Sequence, residues 1–573
     1  MDWSDNRSLP EPSVPRSASA VVAITTGALL ARLVGLGRRV FHWDEGRVGY
    51  WTLRYLESGV FEYRPIIHGP FLPLVNRWVF TVIGPSDFSA RLVVALVGGL
   101  LPAAAWLFRE HLRDSELVAL ALLLAANPLL LYYSRFMRND VLVAAFMLFA
   151  VGFGVRFYDT RQASYLYAGA GVFALGFTTK ENALLYPLVW LGAMGLLLDY
   201  RLIVARYQHH DWRTILSEYV TRIGPGVRKW GIHIVGSATL FAVVIVFFYA
   251  PRPELWRVFV RPTLLPTIVE TATLGTWDKV YTMWISGEGN PYLPFLGDFL
   301  KTLAFGAAPV SLLAVGGFLA DRYTADPPRE LVAFAGYWGF ASVLGYPLAT
   351  DIKAPWITIH AIVPLAIPAA VGAGLLYRRT QRAIASRNAL ESGLTVLLVL
   401  LVVGGVVVPA VDVAYLNSTS ESNDEVLQWA QPSTEMKPTL QKVMALSERH
   451  DGADVLFYGT RNPSNEDEIL FYVRNESSLR QPPPGGPNWH SRLPLPWYLE
   501  RADANVTSSS PDMDPIELRE DAPPIVIAYS WDRDEIAPNL PRYVAYQHDI
   551  KLWGEEIVIF VDDTHSPDHE SRG

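Results

Sequence analysis

Residues 391–411 read ESGLTVLLVLLVVGGVVVPAV. A helix of ~20 such residues is about as long as a bilayer's hydrocarbon core is thick, so the run predicts a membrane-spanning helix. It also marks a boundary, because apolar runs dominate the chain up to about Pro409 and then stop. Working back toward the N-terminus, comparable runs lie at 17–37, 88–108, 116–134, 140–157, 164–178, 183–198, 231–250, 297–319, 331–350 and 356–376. Together they predict an α-helical polytopic membrane protein of about 11 transmembrane helices. Of the 573 residues, 51% are hydrophobic and only 18% charged, an apolar share that is high for a soluble protein of this length. Cysteine is absent, which excludes disulfides, thiolate nucleophiles and cysteine-ligated metal sites.

Charge divides the chain at the same boundary. From Asp412 onward there are 29 acidic against 13 basic residues, a net charge of −16, while the remainder carries 27 acids and 35 bases, a net of +8. Residues 412–573 are therefore expected to form an acidic domain in a different environment from the membrane part. Such acidity, with only 8 lysines in the whole chain, fits a high-salt organism, where surface self-repulsion is screened. Residues 1–16 carry acids and prolines before the first apolar run, without the basic start of a secretion signal. They are expected to be a cytoplasmic tail, with the run as a retained anchor. Basic residues cluster in loops 199–230 and 377–388, and the positive-inside rule places both in the cytoplasm. Arg38 and Arg39 run against that rule. An odd helix number then puts the acidic domain outside, where Asn417, Asn475 and Asn505 open glycosylation sequons. Strand-like runs at Val455–Tyr458, Ile469–Val473, Ile525–Tyr529 and Ile557–Val561, with helix-like stretches at Asn423–Ala430 and Thr439–Arg449, predict an α/β fold there. The Pro- and Gly-rich stretch Gln481–Leu495 is expected to be irregular.

The first outer loop, about 42–87, opens with His42-Trp43-Asp44-Glu45-Gly46. Two acids at a membrane boundary suit the first turn of a helix. They equally suit a general base acting on a sugar acceptor. Arg64-Pro65 and His68-Gly69-Pro70 follow in the same loop. Further outer loops supply Ser134-Arg135-Phe136-Met137-Arg138-Asn139-Asp140, Thr179-Lys180-Glu181-Asn182 and Asp351-Ile352-Lys353, with His360 one turn into the next helix. Any one of these charges can be a snorkelling anchor. Several on one face can bind a lipid phosphate beside a base.

The order of these elements resembles the protein O-mannosyltransferase and aminoarabinose-transferase group, family 39-like membrane glycosyltransferases of the GT-C type. Asp44-Glu45 resemble that group's acidic pair after the first helix. His68-Gly69-Pro70-Phe71-Leu72 resembles its Glu-Lys-Pro-Pro-Leu or His-Pro-Pro-Leu element, with Gly69 where a lysine would stand. Gly84 through Arg91-Leu92, Tyr133-Ser134-Arg135 with Asp140, Thr179-Lys180-Glu181, and Lys353 with His360 and Pro364 fit the later landmarks. More narrowly, HWDEG, TTKEN and Leu495-Pro496-Trp497-Tyr498-Leu499 look like a haloarchaeal branch, the flippase-activity-associated proteins of S-layer glycoprotein N-glycosylation.

The resemblance implies a GT-C domain over 17–411, with the catalytic first outer loop, and an extracytoplasmic α/β domain over 412–573. It implies an inverting transfer of sugar from a polyprenyl (dolichyl) phosphate to a glycan, lipid or protein. Asp44 would be the base, and Glu45 and His68 would orient the sugar or acceptor. Arg135, Arg138, Lys180 and Lys353, with Arg64, Glu181 and His360, would bind the lipid phosphate or sugar. No cofactor, metal or nucleic acid is expected. Partners would be the polyprenyl-phosphate sugar, the bilayer, and other glycosylation or flippase proteins. Two alternatives remain: a non-catalytic accessory to flipping of lipid-linked sugars, and a transporter. A transporter predicts repeated halves and ionisable residues deep in helices; Arg32 lies mid-helix, but no internal repeat is visible.

Overall fold

The computed structural model describes residues 16–564, apart from 208–210, 286–289, 326, 351, 428–429, 451, 476–486, 553 and 563. Among the described residues, seven helices are long and apolar enough to cross a membrane. An eighth span results if Tyr292–Gly306 and Ala308–Thr324, which meet at 97°, are one. The protein is a multi-pass membrane protein, and several of the expected apolar runs are not single helices. The run 116–134 is split: Asn127 ends the helix Asp114–Ala126, and Pro128 starts a short second one, Pro128–Tyr133. Proline is suited to a first helical position, where its missing N–H is not needed, and the Asn127 side chain caps Leu130 N at 3.1 Å. The run 231–250 is the end of a 38-residue helix, Trp212–Tyr249.

The first helix, α1 (Arg16–Leu33), has 18 residues. Its mid-run Arg32 is fully buried and donates to the carbonyls of Ala28 (3.2 Å) and Ala125 (3.1 Å). It thereby satisfies orphan carbonyls at the end of a neighbouring helix. That structural use accounts for the charge that a transporter reading would have claimed.

The expected outer loop 42–87 is largely helical. It holds α2 (Trp43–Ser58), a 3₁₀ turn at Pro65–Ile67 and the apolar helix Phe71–Ile83. Helix α2 is buried from Glu45 through Leu53 because it is covered on its outer side by the C-terminal region. A Cβ on Gly46 would lie 2.6 Å from Pro494, and one on Gly49 2.6 Å from the Trp497 ring. Trp497 also stacks on Phe41, with ring centroids 4.5 Å apart. Both belong to a contact in which the helix Leu495–Arg501 is pinned to the membrane part through one carboxylate. Asp87 accepts from Trp497 Nε1 (2.9 Å) and Tyr498 Oη (3.1 Å), and pairs with Arg501 (3.2 Å) and Lys437 (2.7 Å).

The C-terminal region is an α/β unit. Its strands are β1 (Val455–Phe457), β2 (Thr460–Asn462), β3 (Asn465–Leu470), β4 (Val506–Ser508), β5 (Ile525–Tyr529), β6 (Tyr543–Lys551) and β7 (Glu555–Asp562). Five form a sheet in the order β4-β1-β5-β7-β6, parallel at β4-β1-β5 and antiparallel at β5-β7-β6, and β2-β3 pair separately. The apolar run of β5 is buried at all five positions, as a central strand covered on both faces should be. The predicted helix at 439–449 is Met436–Ser447. The predicted helix at 423–430 is not formed as such: a 3₁₀ turn covers Glu421–Asn423, and 428–429 lie outside the described residues. The predicted strand Ile469–Val473 is shifted, because Leu470 ends β3 and Phe471 turns with φ 63°. Within Gln481–Leu495, residues 481–486 lie outside the described residues, and Pro487–Arg492 form a 3₁₀ turn.

Candidate active site

The site begins at the N-terminus of α2. His42 has extended backbone (φ −67°, ψ 155°), and its Nδ1 accepts from Asp44 N at 3.1 Å. The Glu45 carboxylate reaches back to accept from His42 N at 2.9 Å. This is a capping box with histidine in the usual serine position. The second role of Glu45 is larger. Arg91 grips both of its oxygens at 2.7 Å, Met137 N donates to it at 2.6 Å, and both charged side chains have no exposure. Burial alone would raise the Glu45 carboxyl, but Arg91 outweighs it and holds the group low.

Asp44 precedes Glu45 and therefore points about 100° away around the helix. Its side chain is 29% exposed. It faces a cavity of about 730 Å³, shared with Arg47, His68, Arg138, Lys180 and Glu181. Arg138 donates to Asp44, lies 3.7 Å from Asp140, and stacks over the Trp356 ring at 3.8 Å. Lys180 Nζ pairs with the other oxygen of Asp140 at 2.7 Å. The result is an alternating chain of charges, Asp44–Arg138–Asp140–Lys180. Burial works to raise the Asp44 carboxyl, but the Arg138 guanidinium, with smaller help from His42 and Arg47, keeps it well below the usual carboxylate range. Burial pushes His42 down to about 3, so the cap is neutral at ordinary pH.

A second pair closes the cavity's other side. His68 Nδ1 is 3.0 Å from Glu181, which also accepts from Tyr63 Oη at 2.7 Å. The local backbone explains the placement. His68 sits at φ 63°, and Gly69 N and Phe71 N donate to the carbonyls of Thr179 (3.0 Å) and Thr178 (2.9 Å). A Cβ on Gly69 would lie 2.2 Å from the Thr178 carbonyl oxygen. A lysine at 69 would not fit this close approach, which accounts for the departure noted in the sequence. His360 stands one layer behind, fully buried, bonded to Asn182 (2.9 Å) and Tyr186 (2.7 Å) and 3.5 Å from Asp140. Away from these charges the wall is apolar. Leu188 and Trp277 line the cavity and are exposed on the molecule's outer surface, at 64% and 50%.

The structure thus gathers Asp44, His68, Arg138, Lys180 and Glu181, with His360 behind them. It does not bring in the other four expected residues. Glu45 is committed to Arg91 in the core. Arg64 stacks on Trp51 at 4.1 Å and lines a separate groove. Arg135 donates to the carbonyls of Ala31, Arg32 and Val34, capping the end of α1, and packs over Tyr415. Lys353 pairs with Asp298 at 3.4 Å and lines another cavity. Arg47, missed in the sequence, lies one turn beyond Asp44 on the same face of α2, which is the i, i+3 spacing that would have found it. Among the described residues, no three His, Asp or Glu side chains converge as a metal-binding group.

Residues 67–213 match the family described as dolichyl-phosphate-mannose-protein mannosyltransferase. Residues 436–562 match the Agl23 flippase-associated protein C-terminal domain. The fold is similar to ArnT from Cupriavidus metallidurans bound to undecaprenyl phosphate, with TM-score 0.56 and 16% identity over 96% of this chain and 99% of that one. ArnT in the apo state aligns with TM-score 0.55 and 16% identity over 95% and 98%. The oligosaccharyltransferase AglB from Archaeoglobus fulgidus, in complex with an inhibitory peptide and a dolichol-phosphate, aligns with TM-score 0.48 and 12% identity over 92% and 72%. No curated protein matches the chain.

Proposed function

We propose that this chain, which joins a dolichyl-phosphate-mannosyltransferase-type region to an Agl23-type C-terminal domain on a GT-C fold, transfers a sugar from a polyprenyl (dolichyl) phosphate to a glycan, lipid or protein acceptor. One observation carries the reading. Asp44 and three cations, Arg47, Arg138 and Lys180, share a cavity closed on its other side by His68 and Glu181, and its apolar wall, with Leu188 and Trp277, reaches the exposed surface. That is the shape and charge of a polyprenyl phosphate sugar. The undecaprenyl phosphate held by the similarly folded ArnT supports the same ligand class.

In the proposed reaction Asp44 takes the proton of an acceptor hydroxyl. The hydroxyl oxygen attacks the anomeric carbon from the face opposite the phosphate, the glycosyl–phosphate bond breaks, and the configuration inverts. The bonding electrons leave with the polyprenyl phosphate, whose new charge falls to Arg138, Lys180 and Arg47. His68, held by Glu181, orients the sugar or acceptor. The proposed arrangement has residues 1–16 in the cytoplasm, the membrane domain over 17–411, and the acidic domain over 412–573 on the outer face. The acidity of that domain supports a halophilic, archaeal source.

The test is Asp44→Asn in the full chain, assayed for transfer from a polyprenyl phosphate sugar. General-base catalysis contributes ~10²–10⁴-fold, and transfer should fall by that factor with lipid binding retained. The cap of α2 is His42 with Glu45, so the substitution leaves it intact, and unchanged transfer would leave Asp44 only a partner of Arg138. The match of 436–562 to a flippase-associated domain favours a second reading, an accessory to lipid-linked sugar flipping. Glycan mass spectrometry of a deletion strain separates the two. Loss of one sugar with its carrier accumulating marks a transferase. Accumulation of the complete lipid-linked glycan marks flipping.

A further inference from the structure

A second cavity, of about 440 Å³, lies at the other end of the helices that build the first. The span Glu181–Arg206 contributes Glu181 and Leu188 to the active-site cavity and Tyr200 and Arg201 to this one. The helix Glu330–Ala349 contributes Ala349 to the first and Glu330 and Ala333 to the second. The far ends of the two linings, Glu181 to Arg201 on one helix and Ala349 to Glu330 on the other, lie about 20 helical residues or ~30 Å apart, the thickness of a bilayer's hydrocarbon core. The two cavities therefore open toward opposite membrane faces.

Arg201, Arg322 and Arg329 line the second cavity; Arg201 donates to Glu330 and Arg329 is held by acids, which leaves Arg322 as the lining arginine with no ion pair among the described residues. The Arg322 guanidinium lies flat over the Tyr200 ring at 3.2 Å, which stacks one face and leaves the in-plane N–H groups to be satisfied. Its Nη1 is enclosed and has no hydrogen-bond partner. A buried donor without an acceptor is costly, and its presence beside two further arginines points to an anion. Arg329 is oriented by Asp321 (2.6 Å) and Glu116 (2.6 Å) rather than left to wander. Leu197, Val204 and Ala333 complete the wall with apolar surface, and the span that carries two of them is only 11% buried along its apolar window. The cavity is thus reached from the bilayer.

We propose that this cavity binds the phosphate headgroup of a membrane lipid in the leaflet opposite the active site. Arg322 donates hydrogen bonds to the phosphate oxygens, the ion-paired Arg201 and Arg329 flank it, and the acyl or prenyl tail lies against Leu197 and Val204. Such a site would let one chain hold lipid phosphates at both membrane faces. It stands independently of the sugar-transfer reading, since Arg322 plays no part in the outer cavity.

The test uses the full chain in phosphatidylcholine nanodiscs, titrated with dioleoyl phosphatidic acid and followed by native mass spectrometry. Losing one charge-assisted donor should weaken one bound phosphatidic acid roughly tenfold in Arg322→Gln. Lys180→Gln should leave that lipid in place, and sugar transfer by Arg322→Gln should match wild type. Undecaprenyl phosphate in place of phosphatidic acid should bind the same site. Unchanged phosphatidic acid binding in Arg322→Gln would overturn the proposal. So would displacement of the lipid by equimolar inorganic phosphate, which would mark a site for soluble anions. If Arg322→Gln does not fold, Arg322→Lys, which keeps the charge but loses the planar donor fork, carries the same comparison.

Discussion

Asp44 and Glu45 are neighbours of the same charge with opposite fates. The sequence placed both in one acidic pair, and nothing in that pair distinguishes them. The helix does, by turning one into the cavity and the other onto Arg91, whose side chain the landmark Arg91-Leu92 had already marked without revealing its partner. Removing Glu45 would leave Arg91 charged, fully buried and without its carboxylate. Breaking a buried pair in this way costs ~3–5 kcal/mol. Glu45→Ala should therefore lower the thermal midpoint and protein yield, where Asp44→Asn lowers turnover at normal yield. His42 gives the same region a pH dependence. Its folded pKa, about 3, lies below the unfolded value of 6.5, so as pH falls the unfolded chain takes up a proton that the folded chain refuses. Stability from this group is complete above about pH 6.5 and is lost as pH falls toward 3. In His42→Asn, which keeps a capping side chain, thermal melting between those limits should depend less on pH.

At the scale of elements, long apolar runs are legible in the sequence, and the breaks inside them are less so, because a single proline or glycine barely changes the apolar content of a run. Pro128 divides one run, and the 97° bend at Gly306–Ala308 divides another. Within the expected first loop, 42–87, the helix Phe71–Ile83 is not legible, because the run is too short to span and starts directly after the His-Gly-Pro turn. That turn does the positioning. Gly69 lets the backbone bond to Thr178 and Thr179, and so carries His68 to Glu181. In Gly69→Ala the new methyl meets a backbone carbonyl that cannot step aside. Overpacking of this kind costs ~1–3 kcal/mol. Transfer should fall because His68 is displaced, and a melting curve shifted by no more than that cost, alongside a loss of turnover, would show the turn's role in the site. The edge strand β6 was also unread, since its half-exposed side chains give no clean alternation.

For the whole molecule, the change of charge near Asp412 is legible in the sequence, but the contact between the two parts is not. The proposed topology puts loop 199–230 inside and the C-terminal region outside. A reporter fused after Leu416 should read as extracytoplasmic, and one placed between Arg206 and Arg228 as cytoplasmic. Both on one side would refute that arrangement. The interface was hidden because its residues are far apart in sequence: Phe41 N and Tyr498 Oη, 2.8 Å apart in space, are 457 positions apart in the chain.

That separation has a consequence for biosynthesis. The ribosome makes α2 long before the helix that covers it, Leu495–Arg501. Until the tail has been delivered to the same side as α2 and has folded, Gly46 and Gly49 face no Pro494 or Trp497, and Asp87 lacks the four groups that pin the tail to it. The helix bearing Asp44 is therefore covered only once the later-made C-terminal region has folded against it. A nascent or prematurely terminated polypeptide can occupy the membrane without becoming competent, so the chain's own order of emergence acts as a maturation checkpoint.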